Sequence, residues 1–97
     1  MNRVHQQLHK NRSRIFRLFN LRSLAIFGSY ARNTFSSGSD VDLVYATESN
    51  QTLSFRQVVQ LENMIREVTG IEEIDLVNER NMNPIVWLTV RNDLVYV

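Results

Sequence analysis

Four consecutive apolar side chains, Leu24-Ala25-Ile26-Phe27, run straight into Gly28. A run this short, closed by a glycine, reads as a strand that is apolar on both faces. Such a strand must be paired along its flanks and covered by other layers. The chain has limited means to supply them. Its 97 residues suffice for one core and no second lobe, so a single domain over residues 1–97 is expected. Hydrophobic residues at 43% and charged residues at 22% are ordinary values for a folded domain. With no cysteine, neither a disulfide framework nor a thiolate metal site can hold it together. No apolar stretch approaches the roughly 20 residues of a membrane span. The opening Met1-Asn2-Arg3-Val4-His5-Gln6-Gln7 also lacks the apolar segment of a secretory signal. The expectation is a soluble, cytoplasmic protein with no membrane partner.

The remaining elements follow from periodicity. Val4, Leu8, Ile15, Leu18 and Phe19 stand at helical spacing, with a polar gap near Asn11, and predict a first helix over about 3–19. Ser36-Ser37-Gly38-Ser39 is turn material, and Val41-Asp42-Leu43-Val44-Tyr45 is a second strand. Ser54 followed by Gln57 is a capping-box pattern. The apolar stripe Val58, Leu61, Ile65, Val68 and the stop at Gly70 complete a helix over about 53–69. Ile71 to Val77 is a third strand, with Ile74 and Leu76 on one side and Asp75 and Val77 on the other. Asn83-Pro84 opens a short helix through about Val90, and Leu94 to Val97 closes the chain as a strand. This order predicts an α+β fold, an α/β two-layer sandwich of a small mixed sheet with helices mainly on one face.

Charge is unevenly spread. Residues 1–39 hold seven basic side chains and no acid, whereas residues 40–97 hold all ten acids against four arginines. A basic segment of this kind is either a solvated helix face or a surface for an anionic partner. Nucleic acid is not the expected partner, because no aromatic or glycine is interleaved with the basic residues as a strand-binding platform requires.

The chemistry concentrates between Gly28 and Leu43. A glycine directly after a buried strand lets backbone approach a ligand closely. Ser29 follows at a helix start, where free N–H groups and the helix dipole favour an anion, and Arg32 could add a positive charge over the same turn. Asp40 and Asp42, two apart in a strand, share one face with Cα atoms about 6.5–7 Å apart. A bare pair of this kind can simply face solvent. Held on a rigid strand, the same pair also suits Mg²⁺ or Mn²⁺, which take carboxylate and water and are completed by substrate phosphates. Asp75, inside an apolar run, is a third acid. If its strand lies beside that of Asp40 and Asp42, three carboxylates converge, enough for two metal ions ~3.5–4 Å apart as in phosphoryl or nucleotidyl transfer.

Gly28-Ser29, ten intervening residues and Asp40-Val41-Asp42 match the G-S-x10-D-x-D signature of the polymerase-β-like nucleotidyltransferases. The fuller wording, Gly28-Ser29-Tyr30-Ala31-Arg32 with Ser39-Asp40-Val41-Asp42-Leu43, resembles the minimal nucleotidyltransferase (MNT) group. That group is encoded beside HEPN-domain partners in bacterial and archaeal toxin–antitoxin pairs. The resemblance implies that Gly28 and Ser29, with Arg32 and Ser39, bind the nucleotide, and that Asp40, Asp42 and Asp75 are the catalytic carboxylates and the ligands of two Mg²⁺ ions. It further implies transfer of AMP from ATP, with release of pyrophosphate, to a hydroxyl of the HEPN toxin, a tyrosine in that family, so that the chain acts as an antitoxin. Asn33 departs from the pattern, since relatives usually carry glycine there. A chain this small has little concave surface to bury a nucleotide on both sides, so the second wall either comes from another chain, in a homo- or hetero-oligomer, or is absent.

Two other functions are open to the same chain: a non-catalytic module that neutralises its partner by occlusion, and a DNA-binding autoregulator working through the basic N-terminal helix. Retention of all three acids speaks against the first. Outside the signature, His5 and His9 are expected to be surface histidines rather than a metal pair, and Trp87 to be core or sheet cover. Tyr30 is a turn residue that could stack on a base. The triplets at Asn11 and Asn50 match glycosylation sequons but carry no meaning without secretion.

Overall fold

A computed structural model of the chain describes residues 2–49 and 51–97; Asn50, which heads one of the two sequon-like triplets, lies outside them. The first helical region is two helices, α1 (Arg3–Lys10) and α2 (Arg12–Phe19). The expected single helix breaks at Asn11, whose side-chain amide donates to the carbonyl of Gln7 (2.8 Å). An asparagine that bonds back to the preceding turn competes with the helical ladder, and the axis turns there. The chain then passes through Asn20, in the left-handed region at φ 53°, into β1 (Leu21–Phe27). A one-turn helix α3 (Ser29–Arg32), β2 (Val41–Thr47), α4 (Phe55–Thr69) and β3 (Ile74–Asn78) follow. A 3-10 turn at Glu79–Asn81 that the sequence did not suggest precedes α5 (Pro84–Val90) and β4 (Val95–Tyr96). The expected strand over 71–77 thus begins at Ile74, although the Glu73 carbonyl still accepts from the Val41 N–H of β2 (2.9 Å).

The capping box forms as the sequence predicts, with Ser54 and Gln57 each bonding the other's backbone N–H. Gly70, at φ 74°, ends α4 in the left-handed conformation that glycine adopts without strain. The four strands lie in the order β3-β2-β1-β4. β1 is antiparallel to both its neighbours, while β2 and β3 are parallel, joined by α4 as crossover. The sheet is therefore mixed, and the two-layer expectation holds. Leu24 and Ile26 of β1, Val41, Leu43 and Tyr45 of β2, and Leu61 and Ile65 of α4 form one core with Val4, Leu8, Ile15 and Phe19 of α1 and α2. Ile74 and Leu76 of β3 pack against it. Alternation sends Ala25, Val44 and Ala46 to the opposite face, where they too are buried. The run Leu24–Ile26 is thus covered on both sides, as its composition requires.

Two side chains depart from expectation. His5 is buried, not on the surface: its Nε2–H donates to the carbonyl of Tyr96 (2.9 Å) and ties α1 to β4. His9 is exposed. α5 buries none of its residues, although all but Thr89 are apolar, and Trp87 is only half-buried. A burial contrast follows. Ile65→Ala, at a fully buried position, should cost about 2–5 kcal/mol. Ile85→Ala, with Ile85 75% exposed, should stay within about 0.5 kcal/mol. Urea unfolding of both variants measures this; equal losses would mean that α5 is packed.

Candidate active site

The parallel register of β2 and β3 sets Asp42 beside Asp75, with Val41 beside Ile74 and Leu43 beside Leu76. Adjacent strands are about 4.8 Å apart, so the two carboxylates leave the sheet side by side. On its other flank Asp42 faces Phe27 of β1. Asp40, one residue ahead of β2, shares the face of Asp42 by the two-residue alternation. The apolar neighbours dictate this direction. Val41, Leu43, Ile74 and Leu76 take the helix side, which leaves the acids only the other face. Their position along the strands is also fixed: Asp42 and Asp75 are each the second residue of their strand, level with the end of β1.

Asp42 is half-buried, while Asp40 and Asp75 are exposed. Burial pushes the Asp42 carboxyl above its ordinary value, the charges of Asp75 and Asp40 push it further, and Arg32 pulls it down. The three acids therefore act on one another through space, and a divalent cation would relieve that repulsion. Among the described residues no three acids or imidazoles are already gathered around a point where an ion could sit. An open set of hard oxygen donors suits Mg²⁺, which keeps several waters and is completed by substrate phosphates rather than by a protein cage.

Gly28 supplies the second half of the site. Its backbone stands at φ 73°, ψ −150°, a conformation that residues with a Cβ rarely adopt. A Cβ here would also run into Oδ2 of Asp42 and lie 3.3 Å from its Cγ. Glycine thus answers two demands, the turn after β1 and the close approach of backbone to a carboxylate. The following α3 is one turn long, so the helix dipole expected from the sequence is small. What it offers an anion is the N–H groups of a first turn, which have no helical partner. Asn33 closes this turn at φ 57°, ψ 32°, and asparagine is among the non-glycine residues best tolerated in that region. The departure at Asn33 therefore keeps the loop geometry.

The other candidate residues are placed less simply. Arg32 is engaged by Asp93, Nη1 to Oδ2 at 3.0 Å, in a half-exposed ion pair. The Ser39 hydroxyl accepts from the N–H of Ser36 (2.9 Å) and shapes the turn before Asp40. Tyr30 is buried and stacks on Phe35, ring centroids 4.2 Å apart. Two neighbours of the site escaped the sequence reading. Phe27 could have been found from the strand pairing, whereas Asp93, in the turn before β4, carried no motif or periodic signal.

Known proteins share this pattern. The polymerase beta nucleotidyltransferase family matches residues 10–95. MJ0128 of Methanocaldococcus jannaschii, assigned as a protein adenylyltransferase, is 33% identical over 91 residues, 93% of this chain and 90% of its own length. The protein adenylyltransferase MntA of Thermococcus cleftensis is 30% identical over 79 residues, 81% of this chain and 77% of its own. Among solved structures, one assigned as a minimal nucleotidyltransferase superposes with TM-score 0.73 at 24% identity, covering 98% of this chain and 95% of the other. A toxin–antitoxin structure with AMP-PNP gives 0.68 at 20% identity, covering 90% and 69%. With the family matched over residues 10–95 and both solved structures sharing the fold, this chain belongs to the polymerase beta nucleotidyltransferases.

Proposed function

We propose that the chain transfers AMP from ATP to a hydroxyl of a partner protein, a tyrosine of a HEPN-domain toxin, and thereby acts as its antitoxin. The observation that carries this reading is Asp42 beside Asp75 on parallel strands, with Asp40 on the same face and Gly28 against the Asp42 carboxylate. Support comes from MntA, a protein adenylyltransferase, and from a structural neighbour that is a toxin–antitoxin with AMP-PNP. The exposure of Asp40 and Asp75 agrees with it, since an acceptor borne by another protein must reach these acids directly. In this reading residues 1–97 are one catalytic domain, acting in the cytoplasm on ATP.

In this reading Asp40, Asp42 and Asp75 hold Mg²⁺, or Mn²⁺, which when bound stabilises charge on the attacking and leaving oxygens. The Gly28-Ser29 turn receives the triphosphate, with its first-turn N–H groups toward phosphate oxygen. Arg32, at the end of the one-turn helix after Gly28, and Ser39, directly before Asp40, would add contacts to the nucleotide. The acceptor hydroxyl attacks the α-phosphorus in line; a new P–O bond forms, the bond to the bridging oxygen breaks, and pyrophosphate leaves with that electron pair. Asp75, exposed on β3, would take the hydroxyl proton.

Asp42→Asn should lower transfer of label from α-labelled ATP to the partner by about a hundredfold or more. The same change should raise the metal-free melting temperature at pH 7. An acid whose carboxyl is raised by the fold contributes stability only while protonated. That contribution is present below the ordinary value of 3.8 and is lost as pH rises through the raised one, so ionised Asp42 costs stability at neutral pH. Since Asp42 is only half-buried, the gain should be below the roughly 4–8 °C that 1 kcal/mol gives a domain of this size. Undiminished labelling would remove the ligand assignment, and an unchanged melting temperature would remove the repulsion. Gly28→Ala should also cut labelling, by about tenfold to a hundredfold, because the new Cβ displaces the Asp42 carboxylate. Circular dichroism separates this effect from unfolding.

A further inference from the structure

Arg32 is within electrostatic reach of Asp42 yet forms its ion pair elsewhere. Its charge lowers the Asp42 carboxyl, but among the described residues its ion-pair partner is Asp93 (3.0 Å). Backbone fixes both ends of this pair. The Arg32 N–H donates to the carbonyl of Gly28 (3.1 Å), which anchors the arginine to the signature turn. The Asp93 N–H donates to the carbonyl of Val90 (2.8 Å), closing the turn that leads into β4, and β4 pairs with β1 at Ala25 and Ile26. Asp93 is thus held near the end of the strand that delivers Gly28. Without it, a guanidinium on a flexible stem would be free to turn to the carboxylates grouped with Asp42, the one its charge reaches. An arginine resting on them would neutralise the donors meant for cations and would leave the triphosphate without a positive partner.

We infer that Asp93 is a positioning residue for nucleotide binding: it keeps Arg32 beside the three carboxylates rather than on them, with the guanidinium free to meet the triphosphate. Planar arginine donates to a carboxylate and a phosphate oxygen at once, because its five N–H donors form a fork. Arg32 can therefore keep Asp93 on one edge while the other edge faces phosphate. The pair is half-exposed, so it adds little to the stability of the fold. Its consequence lies in where it leaves the arginine.

This inference rests on the nucleotidyltransferase reading, and the test separates the two. Binding of a fluorescent ATP analogue with Mg²⁺ is measured for the unaltered chain, Asp93→Asn, Asp93→Glu, Arg32→Gln and the double variant. Asp93→Asn should raise Kd by about three- to fivefold and Asp93→Glu should recover most of that. Arg32→Gln should raise Kd at least as much, and adding Asp93→Asn to it should change nothing further. Equal or tighter binding by Asp93→Asn would overturn the positioning role. So would a second, additive loss in the Arg32→Gln background, the mark of a merely structural contribution. An unaltered chain that binds no analogue would instead overturn the nucleotidyltransferase reading and this inference with it.

Discussion

The parallel pairing of β2 with β3 is the constraint on which the rest depends. It brings Asp42 and Asp75, distant along the chain, to one level of the sheet, against the repulsion that like charges on adjacent strands exert. The opposite faces of the same strands supply the compensation. Val41 and Leu43 are fully buried beneath Leu61 and Ile65 of α4, and Ile74 and Leu76 join them. Each fully buried aliphatic side chain contributes about 1.5–3 kcal/mol. A slip of one residue would send the acids inward and the aliphatic set outward, so the core that stabilises the sheet also dictates where the acids point. The repulsion survives because its relief would require giving up that core.

How much of this was legible in the residues depends on whether a signal is local. The α4 caps and the Pro84–Val90 helix were readable because each is specified within four or five residues. The facing of Asp40, Asp42 and Asp75 was readable because alternation with Val41, Leu43, Ile74 and Leu76 leaves one choice. The break at Asn11 was visible only as a polar gap: whether asparagine sits in a helix or bends it depends on the side-chain bond it makes. His5 was misread as a surface residue because its burial comes from a carbonyl of Tyr96 near the other end of the chain. Arg32 and Asp93 are likewise 61 positions apart, and no spacing rule predicts such a pair.

The uneven charge of the two halves acquires a structural meaning in the same way. Two of the basic residues of the first half meet acids of the second, Arg22 with Glu79 (3.7 Å) and Arg32 with Asp93. A third, Arg12, donates through Nε to the carbonyl of Val97 (3.0 Å) while lying over the ring of Phe16. With His5 bonded to Tyr96 and the Val97 N–H donating to Leu24, the C-terminal strand is held by polar contacts from α1, α2 and β1 together with the Val97 side chain in the core. β4 is only two residues long, too short to hold itself by ladder bonds, so the basic helices are part of what keeps the sheet's fourth strand in place.

The openness of the carboxylate set then reads as a consequence of the fold rather than a defect in it. Asp42 has Phe27 on one side and Asp75 on the other, and Gly28 removes the one Cβ that would stand over its carboxylate. Nothing in that arrangement can close around an ion, because every donor comes from a strand end on one flat face. A closed cage would bind a cation tightly without a nucleotide and leave no coordination position for phosphate. Donors spread on a flat face bind weakly until phosphate oxygens complete the shell, which ties cation binding to nucleotide binding. Among the described residues Arg32 is the cation whose charge reaches Asp42, so under the proposed reading a flat acidic face of this kind works only if that arginine is kept occupied elsewhere, and Asp93 is the group in contact with it.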